Sequence, residues 1–219
     1  MLKSAKEIKY LAKAAKITSA IYRVVAKEVR PGAREIEIAR SIEGIIRKKG
    51  LKRSFRTIVA SGPNAAKPHA KVTERKIRSK DAVVVDFGVI YRGYHSDMTR
   101  TIMMGKADST MRRLYGVVET AHKMAVQKVR PGIRISDFVG GVHDYIKKAG
   151  LGQYIMHSLG HGIGKKIHEG PKLSEKNKRI LKERTVITIE PGLYIKKRGG
   201  VRIEDMVMVK RKGARVLTR

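Results

Sequence analysis

Val29-Arg30-Pro31-Gly32 recurs one hundred positions later as Val129-Arg130-Pro131-Gly132, and Lys48, Gly50 and Leu51 recur at the same spacing as Lys148, Gly150 and Leu151. A spacing held over this interval without a gap marks a duplicated unit and restricts the chain to folds built from two like halves. Ile8, Leu11, Ala14, Ala15, Ile17, Ile21 and Val25 fall at helical spacing, which predicts an amphipathic helix over about residues 4–28 with a basic outer face. Pro31-Gly32 breaks it. Ile36, Ile38, Ala39, Ile42 and Ile45-Ile46 predict a second helix over about 34–49, with Gly50 placed as its C-cap. In the second copy, helices are expected over about 110–128 and 136–149, again divided by Pro-Gly and ending at Gly150.

After the helices, each copy turns to β patterning. A short strand is expected over 55–60, then a loop at Ser61-Gly62-Pro63-Asn64. Val83-Val84-Val85-Asp86-Phe87-Gly88 is matched by Ile187-Thr188-Ile189-Glu190-Pro191-Gly192, now at an offset of 104, so a short insertion lies between. Each strand leads to a glycine turn (Arg92-Gly93; Arg198-Gly199-Gly200) and returns with an acid, Asp97 or Glu204. Folding the first hairpin between Tyr91 and Arg92 sets Asp86 directly opposite Asp97, on one face of the sheet. The expectation is an α+β fold in a single domain over 1–219, with helix–helix–hairpin halves at about 1–105 and 106–219 and the two acidic hairpins facing each other.

Carboxylates this close repel unless a proton or cation compensates them. One histidine-rich stretch separates the hairpins: His157-Ser158-Leu159-Gly160-His161-Gly162-Ile163-Gly164, then Ile167-His168-Glu169. Glycines on both sides of His161 permit close backbone approach. Asp86, Asp97, Glu190 and Glu204 with one histidine form a donor set for two hard-to-borderline divalent metals, Mn²⁺, Co²⁺, Fe²⁺ or Zn²⁺. The chain has no cysteine, which excludes thiolate zinc sites and disulfides.

Fifty basic residues against 19 acidic ones give a net charge of +31. That balance points to nucleic-acid or ribosome contact, or to non-specific polyanion binding; the cations are scattered and aromatic residues are few. No apolar run reaches membrane-spanning length and the N-terminus lacks a signal-peptide pattern, so a cytoplasmic protein, monomer or homodimer, is expected.

Asp86-Phe87-Gly88, Asp97, Gly160-His161-Gly162-Ile163-Gly164, Glu190-Pro191-Gly192 and Arg202-Ile203-Glu204-Asp205 together resemble the "pita-bread" metallopeptidases: prolidase, Xaa-Pro aminopeptidase, methionine aminopeptidase and creatinase. The resemblance covers nearly the whole chain. Ser61-Gly62-Pro63-Asn64, Pro68-His69 and Gly199-Gly200-Val201-Arg202 are most similar to the catalytic domain of prolidase, whose usual N-terminal domain has no counterpart in this sequence. It implies a curved antiparallel sheet and two divalent ions, Mn²⁺ or Co²⁺ first, held by Asp86, Asp97, His161, Glu190 and Glu204. It further implies hydrolysis of an N-terminal Xaa-Pro bond by a hydroxide bridging the metals. Glu190 would move the proton, His168 would steady the oxyanion, and His69 would line the site. His157, Arg202, Phe55 and Ile167 would contact substrate. A methionine aminopeptidase, and a non-catalytic relative binding ribosomes or RNA, are the alternatives.

Overall fold

The computed structural model describes residues 2–218. Its elements run α1 (Ala5–Val25), α2 (Glu35–Lys48), β1 (Lys52–Arg53), β2 (Ile58–Ser61), β3 (Ala82–Phe87), β4 (Val89–Tyr91), β5 (Tyr94–His95), β6 (Met98–Met103), α3 (Ser109–Lys128), α4 (Ile135–Lys148), β7 (Gly160–Gly162), β8 (Glu169–Leu173), β9 (Val186–Ile189), β10 (Gly192–Ile195), β11 (Gly199–Arg202), β12 (Asp205–Val209) and β13 (Ala214–Val216). Ser4 caps α1 reciprocally: its hydroxyl accepts from Glu7 N, and the Glu7 carboxylate accepts from Ser4 N. Gly50 and Gly150 end α2 and α4 at φ +66° and +72°, the left-handed conformation that makes glycine the preferred terminator. The expected strand over 55–60 starts later, at Ile58. Phe55 lies in the preceding bend, where Ser54 is tied through its N–H to Gly88 O and through its hydroxyl to Val89 O.

The repeat is written into the hydrogen bonds. Gly32 N donates to Ile77 O and Gly132 N to Leu181 O, both at 2.9 Å. Ile77 N returns to Ala33 O, and Leu181 N to Ile133 O. The offset is 100 at Leu51/Leu151 and 104 at Ile77/Leu181, which places the insertion in the segment that carries the histidines. In the first half, Ile38, Ile42 and Ile46 of α2 pack with Val83, Val85 and Phe87 of β3. In the second, Leu114, Phe138 and Val142 of α3 and α4 pack with Ile187, Ile189 and Val207. Each half thus buries the inner stripe of two helices against its own strands, and the hydrophobic effect holds each layer in place.

All strand pairs are antiparallel; the ladders run β2-β3-β6, β1-β4-β5, β10-β11 and β13-β12-β9-β7-β8. The first hairpin corrects one expectation. Tyr91 pairs with Tyr94, so the two-residue turn is Arg92-Gly93, at φ 52° and 80°. That moves the register by two: Asp86 lies opposite Thr99, not Asp97. Side chains alternate faces every residue, so a shift of two leaves Asp97 on the face of Asp86, as a diagonal neighbour. In the second hairpin, Ile189 pairs with Asp205 and Gly192 with Arg202, so Glu190 and Glu204 stand directly opposite.

Candidate metal centre

Asp86 sits near the end of β3, Asp97 between β5 and β6, His161 on β7, Glu190 after β9 and Glu204 between β11 and β12. All five face one cavity of about 690 Å³. Oxygen or nitrogen atoms of Asp97, His161 and Glu204 lie within 4.8 Å of one another. His161 Nε2 is 3.4 Å from Glu190 Oε1 and 3.7 Å from Asp97 Oδ2. The glycines beside His161 make this approach possible: a Cβ at Gly160 would run into Thr188 O, and one at Gly162 into Gly170 O.

The electrostatics show what this arrangement lacks. Burial, then repulsion from Glu204, Asp86 and Glu190, raises the Asp97 pKa well above the carboxylate range. Burial and the neighbouring acids do the same to Glu204. Burial lifts Glu190 to about 7, against the pull of Arg202. His161 is lowered to about 4 by burial and by His168, so its ring is neutral. Nδ1 lies 3.0 Å from Gly162 O and carries the proton, which turns the Nε2 lone pair toward the carboxylates. A lone pair facing carboxylate oxygens needs a proton or a cation between them. Asp86 Oδ1 and Glu204 Oε1 are buried with no hydrogen-bond partner, a costly state for a carboxylate. The donor set therefore fits divalent cations.

Arg202 and His157, expected to contact substrate, line the cavity and are also held by protein groups. Arg202 is buried and donates to Asp86 Oδ2 at 2.6 Å, Tyr194 Oη at 2.8 Å, Pro68 O at 3.1 Å and Thr99 Oγ1 at 3.1 Å. Its charge holds Asp86 in place and offsets part of the acidic cluster. His157 lies 2.9 Å from Ser158 O through Nδ1 and 2.8 Å from Tyr194 Oη through Nε2, and burial lowers it to about 4. His69, His168, Phe55 and Ile167 line the cavity, and the His168 ring meets His161 edge-on at 4.4 Å.

Sequence reasoning missed three supports. Thr99 donates to Glu204 Oε2 at 2.7 Å; centring the turn on Arg92-Gly93, as glycine in a two-residue loop favours, would have placed it opposite Asp86. Arg100 bonds both the Glu204 carbonyl and Asp205 Oδ1. His122 Nε2 lies 3.1 Å from Asp205 Oδ2. The last two join residues far apart in sequence, and no local pattern announces them.

A model of metallopeptidase family M24 matches residues 9–211. The chain belongs to metallopeptidase family M24. It is 40% identical to the Xaa-Pro dipeptidase of Pyrococcus furiosus over 220 aligned positions, covering all of this chain and 63% of that protein. The solved prolidase from Pyrococcus furiosus superposes with TM-score 0.96 at 41% identity, covering 100% of this chain and 65% of that one. An X-Pro aminopeptidase from Thermotoga maritima gives 0.95 at 34% identity, covering 100% and 62%. The M24 chain thus has the pita-bread fold and spans under two thirds of the length of these relatives.

Proposed function

We propose that this M24 chain removes the N-terminal residue from peptides, with Xaa-Pro bonds preferred. Asp86, Asp97, His161, Glu190 and Glu204 would hold two divalent cations, Mn²⁺ or Co²⁺ first. The observation that carries the reading is the convergence of these five groups with two buried, unpaired carboxylate oxygens among them. The Xaa-Pro names of the relatives support the substrate class. When bound, such cations neutralise the acids, polarise a carbonyl and acidify water.

The chain's own groups supply the remainder. Glu190, whose Oε1 faces His161 Nε2 across the cavity, is placed to take a proton and return it to the leaving nitrogen. His168, beside His161, is placed to donate toward the oxygen that becomes negative. Phe55, Ile58 and Ile167 give the cavity an apolar wall that suits a proline ring. Arg202 and His157 act as positioning residues, through Asp86 and Tyr194.

A peptide panel in Mn²⁺ or Co²⁺ tests this directly. Xaa-Pro and Xaa-Pro-Xaa peptides should be cut faster than Met-Ala-Ser. The reverse order would make the chain a methionine aminopeptidase. Metal binding without cleavage of any peptide would reduce it to a non-catalytic relative.

A further inference from the structure

A second groove lies apart from the metal site. It has a volume of about 880 Å³, lies between α1 and the β12–β13 hairpin, and shares no lining residue with the metal site. Lys9, Lys13 and Lys16 line one wall at spacings of four and three, so they stand on one face of α1. At 1.5 Å per residue they extend over about 10 Å. Lys210 and Arg215 line the groove from the hairpin side. All five are exposed, none takes part in an ion pair or a side-chain hydrogen bond among the described residues, and no acidic residue lines the groove. With 50 basic against 19 acidic residues most cations on this molecule have no acid to pair with, so what sets these five apart is their alignment beside two aromatic rings.

The groove also has an apolar, aromatic component. Ala12, Val216 and Leu217 line it, and so do the half-buried rings of Tyr10 and Tyr91, 6.1 Å apart and nearly perpendicular. Spaced cations around partly exposed aromatic rings are the parts of a single-strand nucleic-acid site: phosphates lie along the cations and bases stack on the rings. An acidic polypeptide would use the cations and leave the tyrosine faces idle. A solvated basic face would need neither the concavity nor the rings.

We infer that this groove binds single-stranded nucleic acid, independently of the metal centre. The test is fluorescence anisotropy with a labelled oligouridylate of about 15 nucleotides, titrated across a salt series. Lys9→Glu/Lys13→Glu/Lys16→Glu should weaken binding about tenfold or more at low salt. It should also make the salt dependence less steep by about 2, since each phosphate contact to a single strand contributes about 0.7 to the slope. Tyr10→Leu, which keeps the packing apolar, should weaken binding about fivefold by removing a stacking face.

The control Lys176→Glu/Lys178→Glu/Arg179→Glu makes the same charge change on exposed residues outside the groove and should have little effect. Equal loss in the control would overturn the site in favour of net charge alone. Equally tight competition by polyglutamate would reassign the groove to acidic proteins. No binding by the parent would make it a solvated face. Peptidase activity is not the readout, so failure here leaves the proposed hydrolysis standing.

Discussion

At the first position of its second helix, the N-terminal half has Glu35 and the C-terminal half has Ile135, both fully buried. Glu35 accepts hydrogen bonds from Ser61 N and Oγ, Thr73 N and Oγ1, and Asn64 Nδ2. It clamps the two ends of the loop that carries His69. Ile135 packs into the second core instead. The hairpins diverge similarly: Asp86 faces Thr99, whereas Glu190 faces Glu204, and the segment between helix and strands is four residues longer in the second half, where it carries His161. Duplication therefore supplied the frame. The candidate metal-site donors lie where that symmetry breaks.

The sharpest way to break the comparison is to exchange the facing groups. Glu204→Gln removes a carboxylate whose first-half counterpart is the neutral Thr99. It should lower kcat/KM by at least about a hundredfold and weaken Mn²⁺ binding, read by calorimetry. Thr99→Val, at the first-half position, removes only a donor to Glu204 and should cost about tenfold. Equal losses would mean that the hairpins contribute alike.

Next in size is the response of the empty site to pH. Asp97, Glu190 and Glu204 have folded pKa values raised above their ordinary ones. At these acids the folded state binds more protons than the unfolded state, so their contribution to stability falls as pH rises from the ordinary carboxylate range to about 7 and beyond, while His157 and His161, lowered to about 4, oppose it only below about pH 6.5. In EDTA, the melting temperature should drop by about 5 °C or more between about pH 5 and pH 8, and Mn²⁺ should restore more at the higher pH. An equal Mn²⁺ effect at both pH values would show that the ion is not relieving buried repulsion.

Much of this was legible in the sequence because it is periodic or local. Helix spacing, Pro-Gly breaks and Gly50/Gly150 fix four helices to within about three residues, the usual slack at helix ends. The five acidic and histidine positions stand out because charges inside β-branched strands need compensation. The hairpin register was misjudged by two because glycine at the second turn position outweighs the symmetric centring of the apolar run. The face of Asp97 survived because the error was even. The commitment of Arg202 to Asp86 crosses from β11 to β3, and no spacing along the chain encodes it.

Glu35 and Ile135 offer a subtler discrimination, since each should cost about 3 kcal/mol as alanine, by different routes. Glu35→Ala leaves five donor contacts of the loop unmatched; Ile135→Ala opens a cavity. Only Glu35→Ala should also reduce kcat/KM, by roughly tenfold, because its loop carries His69 and approaches Gly200 of β11 through Ala65 O. Denaturation midpoints with kinetics on the folded fraction separate the two routes.

The smallest effects lie at the tips of the hairpins, where the halves solved one problem differently. The first turn places Arg92 at φ 52° and Gly93 at φ 80° in the left-handed region, and the second places Lys197 there at φ 64°. Glycine adopts this conformation freely and lysine does not. Gly93→Ala meets no atom within 4 Å, so its cost should be conformational alone, about 1 kcal/mol. Lys197→Gly should release strain in the folded state while adding freedom to the unfolded one. The two terms oppose, so its gain should be smaller, about 0.5 kcal/mol. Neither change touches the cavity, and kcat/KM should hold in both. If Gly93→Ala lowered activity, the turn would be setting the position of Asp97, and the first hairpin would be less rigid than its paired Val89 and Ser96 imply.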